Sequence, residues 1–137
     1  MTIAATSRLR KHAEYQRVYQ AGRKQFGKQL GYFFLLRQPL GPDGSPLRDV
    51  APDGPRVGLT VSKAMGKAVD RNRIKRRMRE AVRRQIAMLK MPVDVVLHPR
   101  RSVIDLNFGT LEREVAAVFQ AIQRSAERKA AARPNAL

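Results

Sequence analysis

The chain has 137 residues, enough for one domain with a real core, and its 43% hydrophobic content sets it apart from a disordered basic tail. It carries 28 Lys or Arg against 11 Asp or Glu, a formal net charge of +17, and 20 of the 28 cations are Arg, whose planar fork fits phosphates. The absence of Cys excludes a disulfide framework, Cys-based zinc sites and a thiol nucleophile. No apolar run approaches membrane-spanning length and the stretch Met1–Arg8 lacks a signal-peptide core, so the expected setting is cytoplasmic, without a membrane partner.

Residues 10 to 21 are predicted to form a first helix, with Tyr15, Val18 and Tyr19 at the i, i+3, i+4 spacing of one face and Gly22 as its stop. Residues 28 to 37 read as a strand rich in aromatics. Both of its faces are apolar, Tyr32, Phe34 and Leu36 on one and Phe33 and Leu35 on the other. Two covered faces, or one core face and one ligand face, account for that. Residues 38 to 55 are dense in Pro and Gly and form a loop; its acids Asp43, Asp49 and Asp53 have nothing to fix them relative to one another and read as a solvated connector. Over 57–62, Val57, Leu59 and Val61 alternate with Gly58, Thr60 and Ser62, a half-buried strand whose small polar face lets another molecule's backbone approach.

Between Lys63 and Arg84 stand ten Lys or Arg against Asp70 and Glu80, a net +8 in 22 residues. Such density repels itself unless a polyanion neutralises it, which a phosphate backbone does while releasing counterions. The run is ordered into a helix from about Val69 to Lys90. Ile74, Met78, Ala81, Val82, Ile86 and Leu89 form its buried stripe, with Arg73, Arg76, Arg77, Arg83 and Arg84 on its exposed one. A solvated charged face is the usual reading of mixed-sign runs; a run of one sign reads as an RNA-binding surface.

Pro92 ends that helix, and residues 93 to 98 give a third strand. Asp94 within it could serve metal-dependent nuclease chemistry but lacks a recognisable partner. A last helix runs from Phe108 or Thr110 to about Arg128 and buries Leu111, Val115, Val118 and Ile122, with residues 129 to 137 as a flexible tail. The order α-β-β-α-β-α gives a single-domain α+β sandwich over residues 1–128. His12 and His98 read as ordinary surface or strand-end residues. With no Ser-His-Asp or HExxH arrangement, no catalytic residue and no protein metal site is assigned.

The pattern Arg56-Val-Gly-Leu-Thr-Val-Ser-Lys63, then Gly66, then Ala68-Val-Asp-Arg-Asn-Arg-Ile-Lys-Arg76, resembles the protein subunit of bacterial ribonuclease P. Arg8-Leu-Arg-Lys-His-Ala-Glu-Tyr15 is similar to that family's opening helix. Asp94-Val-Val-Leu-His-Pro-Arg100 and Leu106-Asn-Phe-Gly-Thr-Leu111 are similar to its last strand and helix start. The likeness covers residues 8 to about 125; the long 38–55 loop departs from the shorter connection expected there.

The resemblance implies a chain that is not itself the catalyst. A large RNA subunit cleaves the 5′ leader from precursor tRNA with Mg²⁺ held mainly by that RNA, and the protein grips the single-stranded leader. It also implies that the strand–basic helix–strand connection crosses left-handedly. By position, the leader cleft falls on Tyr15, Tyr19, Phe33 and Thr60. Arg71 and Asn72 stand nearest the leader and catalytic centre, while Lys63, Lys67, Arg73, Lys75, Arg76 and Arg77 contact phosphates of the catalytic RNA. Taken alone, Tyr15, Tyr19 and Phe33 read as core residues; the resemblance turns them into a stacking platform. The implied partners are the catalytic RNA and precursor tRNA, with no DNA. The alternatives are a ribosomal or RNA-chaperone-type binding protein, or a protein-only nuclease.

Overall fold

The computed structural model describes residues 8–22, 24–37 and 54–132. The expected 38–55 loop lies almost wholly outside them. Seven elements follow in chain order: α1 (His12–Ala21), β1 (Gln25–Phe26), β2 (Leu30–Leu36), β3 (Arg56–Leu59), α2 (Ala68–Gln85), β4 (Val93–Pro99) and α3 (Phe108–Ala132). Short 3₁₀ turns at Lys63–Met65, Ile86–Met88 and Arg101–Ile104 join them.

The α+β class stands, with one strand that periodicity misses. β1 is two residues long and forms a hairpin with β2, pairing Gln25 with Tyr32 and Phe26 with Gly31. The sheet order is β1-β2-β4-β3, antiparallel except for the parallel β3–β4 pair that α2 connects. α2 stops at Gln85 rather than Lys90, its last turn tightening into the 86–88 turn. α3 continues four residues past Arg128, through a run of Ala that favours helix, so residues 129–132 are helical and not tail. Residues 133–137 lie outside the described residues.

The two apolar faces of β2 have different neighbours. Tyr32, Phe34 and Leu36 join Val57, Val95 and Leu97 in the main core under α2 and α3, where Ile74, Met78, Leu111, Val115 and Phe119 pack. On the other face α1 lays Val18, fully buried, against Val96, with Tyr15, Tyr19, Phe33 and Leu35 only partly covered around them. Full burial of a Val, Leu or Phe side chain is worth about 1.5–3 kcal/mol, so the α2/α3 side carries most of the stability and the α1 side is the thinner layer.

A polar network fastens that thinner layer. Asp94 is 0% exposed, on the α1 face of β4, and accepts bonds from Arg37 Nη1 (3.0 Å) and from Arg56 Nε (2.8 Å) and Nη2 (2.7 Å). Arg56 also pairs with Glu14 of α1, whose Oε1 accepts from the backbone amides of Lys11 (2.9 Å) and Arg10 (3.0 Å) at the helix start. The carboxylate with no recognisable partner thus has two, and its task is to clamp β2, β3 and α1 together. This removes it as a nuclease candidate.

Candidate RNA-binding surface

Cross-strand pairing arranges one face of the sheet in rows. Phe33 and Gly58 lie on either side of Val96, and Gly31 lies beside His98, next to Thr60. α1 crosses above and sets Tyr15 and Tyr19 one turn apart over these rows. Gly58 makes room for Tyr15: a Cβ there would lie 2.4 Å from the Tyr15 hydroxyl. That hydroxyl donates to Leu9 O at 3.4 Å, and burial holds its pKa above the ordinary phenol value, so it stays a neutral donor.

Tyr19, Phe33, Thr60 and His98 form one cluster. The Tyr19 and Phe33 rings meet edge-to-face at 4.9 Å, and His98 lies 5.7 Å from Tyr19 and 5.5 Å from Phe33 between centroids. The Tyr19 hydroxyl bridges Thr60 Oγ1 (2.9 Å) and His98 Nε2 (3.1 Å). The leader-cleft residues expected from the sequence are therefore brought together, and His98, set aside there as an ordinary strand-end residue, completes the group. Burial, with Lys24 adding repulsion, lowers the His98 pKa from its ordinary value and favours the neutral ring.

Next to this cluster an opening of about 330 Å³ lies between α1, β3 and α2, lined by Arg8, Arg10, Tyr15, Gly58, Lys75 and Arg79 among others and, among the described residues, by no acid. Arg8 and Arg10 reach it because Leu9 N donates to Val57 O (3.3 Å), stitching the segment before α1 onto the β3 edge. The sequence signal for Arg79 is its i+4 spacing from Lys75, which puts both on one helix face.

The other cations of α2 divide. Lys63, Lys67, Asn72, Arg73 and Arg76 are exposed, and Arg71, Lys75 and Arg77 are half-buried. Arg76 has no hydrogen-bond or ion-pair partner among the described residues. Arg77, by contrast, donates to Val103 O at 2.9 Å and to Leu106 O, while Arg73 donates to Ile104 O at 3.2 Å. These two guanidiniums brace the 101–104 turn, Arg77 through two of its nitrogens and Arg73 through one. Arg83 and Arg84 pair with Glu80, whose carboxyl they hold at about 2.

Fold and surface together define a small basic α+β domain presenting an aromatic cluster beside unpaired cations. The Ribonuclease P family profile matches residues 3–123, and the chain belongs to that family. Its members are accessory protein subunits of an endoribonuclease whose RNA is catalytic. The chain is 34% identical over 120 residues to the ribonuclease P protein component of Desulforapulum autotrophicum, covering 88% of this chain and 92% of the relative. It is 32% identical over 114 residues to that of Bacillus velezensis, covering 83% and 87%. In fold it is similar to the RNase P protein of Staphylococcus aureus, with a TM-score of 0.66 at 24% identity over 85% of this chain and 95% of that one. The Thermotoga maritima RNase P protein gives 0.63 at 23% identity over 85% and 96%. No helix among the described residues is long and apolar enough to cross a membrane.

Proposed function

We propose that this chain assembles with a catalytic ribonuclease P RNA and holds the single-stranded 5′ leader of precursor tRNA on its α1 face. The observation that carries the reading is the adjacency of the half-exposed Tyr15, Tyr19, Phe33, Thr60 and His98 to the opening lined by Arg8, Arg10, Lys75 and Arg79 and, among the described residues, by no acid. Aromatic faces accept any base, at about 1–3 kcal/mol per stacked base, and the cations take phosphates, a pairing suited to a strand of variable sequence. Tyr19 is held for this by Thr60 and His98, so little ordering remains to be done on binding.

Arg71 and Asn72 at the start of α2 stand nearest the scissile end of the leader in this reading. Lys63, Lys67, Arg73 and Arg76 face phosphates of the catalytic RNA, whereas Lys75, expected among them, lines the opening on the leader side. Arg77 supports that face from within. In this reading the Mg²⁺ that the reaction uses is held mainly by the RNA subunit.

The test is cleavage of precursor tRNA by the protein alone, by a bacterial ribonuclease P RNA alone, and by both at low Mg²⁺. Cleavage requiring both supports the reading. Cleavage by the protein alone, or no gain over the RNA alone, overturns it.

A further inference from the structure

Phe26 is 68% exposed on the two-residue strand β1. Single exposed apolar side chains are common and need no function; the placement of this one is what matters. Phe26 pairs with Gly31, and Gly31 pairs with His98, so Phe26 and His98 point to the same side of the sheet from two strands apart, roughly 10 Å. Gly31 contributes no side chain between them. The result is a recess of about 220 Å³ with a bare backbone floor, lined by Phe26, His98, Thr60, Lys24 and Arg100 among others and, among the described residues, by no acid. Lys24 Nζ lies 5.5 Å from the Phe26 ring centroid, and neither Lys24 nor Arg100 has an ion-pair partner among the described residues. The recess shares Thr60 and His98 with the Tyr19 cluster and therefore continues the same surface.

We infer that Phe26 is a separate stacking position for a further nucleotide of the same single strand, with Lys24 and Arg100 taking its phosphate. The inference rests on the leader-binding reading above. A largely exposed ring flanked by two cations that have no ion-pair partner among the described residues suits a base with its phosphate better than an apolar protein segment, which would leave both cations facing an uncharged partner.

The experiment uses the reconstituted holoenzyme and precursor tRNA carrying 2-aminopurine at successive leader positions, whose fluorescence is quenched by stacking. Phe26→Ala is expected to relieve quenching at one leader position and to weaken precursor binding roughly five- to tenfold, with mature tRNA binding and melting temperature unchanged. Phe33→Ala should relieve quenching at a different position, and Phe26→Tyr should restore the wild-type pattern. Gly31→Ala should weaken the Phe26 position, since a Cβ there rises into the recess floor, 3.0 Å from the flexible Lys24 stem and in ordinary contact with Gln25 O (3.7 Å) and His98 Cβ (3.8 Å). If Phe26→Ala leaves quenching and affinity at wild-type values while Phe33→Ala loses both, the inference is overturned and the leader reading stands. If Phe33→Ala also changes nothing, the leader reading fails with it. A Phe26→Ala change in self-association, with leader binding intact, would make the residue a protein contact and overturn the inference too.

Discussion

Arg56 and Asp94 face each other across the parallel β3–β4 pair in a two-pronged ion pair, Nε 2.8 Å from Oδ1 and Nη2 2.7 Å from Oδ2. The carboxylate raises the Arg56 pKa, and Arg37, itself buried, shares the same oxygen. Removing one member of a buried pair costs far more than the pair contributes, because the remaining charge stays without compensation. Asp94→Ala takes the carboxylate from buried Arg37 and leaves Arg56 only Glu14, and is expected to lower unfolding free energy by about 3–5 kcal/mol. Urea unfolding of the free protein measures this, and a loss below about 1 kcal/mol would show that solvent replaces the network.

Arg76 and Arg77 are neighbours in sequence with different tasks. Arg76→Ala should weaken assembly with the catalytic RNA and leave the melting temperature unchanged, since that side chain has no partner among the described residues. Arg77→Ala releases the Val103 and Leu106 carbonyls and is expected to cost about 1–3 kcal/mol of stability before any RNA is added. Equal melting temperatures for the two variants would remove this distinction.

The contrast shows what the sequence carries and what it cannot. Alternation separated Tyr32, Phe34 and Leu36 from Phe33 and Leu35 without choosing the core face, which the packed helices decide, while the helical stripe picked out Ile74, Met78, Ala81 and Val82 from local periodicity. β1 escaped because two residues hold no period. The partners of Asp94 lie 57 and 38 residues away, and only the closed sheet brings them together. Whether an Arg on α2 meets solvent or the 101–104 turn depends on how that turn packs, so Arg76 and Arg77 look alike until the fold is known. His98 was hidden for the same reason: its partner Tyr19 lies 79 residues earlier.

Burial keeps the His98 pKa below 6.5, so between its folded value and 6.5 the unfolded chain binds more protons than the native one. Stability therefore rises with pH in that window: the contribution is present in full above 6.5 and is lost as pH falls through the folded value. The lowered carboxyls of Glu14 and Glu80 act below 4.5 and do not confuse it. Wild-type protein should lose stability between about pH 7.5 and about pH 5.5, and His98→Gln should flatten the curve. Parallel curves for the two would mean the ring titrates as it does in water.

Binding of a leader-length RNA should be strongly electrostatic. If about six phosphates of a single strand are engaged, log K falls with log[salt] with a slope of about −4. Lys75→Gln or Arg79→Gln should each reduce that slope by about 0.7, uniformly across leader sequences. A wild-type slope near zero would remove the cation-lined opening as a phosphate site.

The aromatic cluster makes the most selective prediction. Tyr15→Ala or Phe33→Ala should weaken precursor tRNA binding to the holoenzyme while leaving mature tRNA nearly untouched, because only the precursor has a leader to stack. A stacking loss of about 1–3 kcal/mol corresponds to roughly five- to 150-fold in affinity. Both residues also pack around Val18 and Val96, so truncation costs some stability as well as stacking. Phe33→Leu separates the two contributions: it keeps most of the apolar volume and loses the ring. Melting curves run beside the binding curves identify variants that are fully folded at the assay temperature. Among those, precursor affinity should fall relative to mature tRNA for Phe33→Leu as for Phe33→Ala. If folded variants bind long-leader and leaderless tRNA in the wild-type ratio, the leader lies elsewhere.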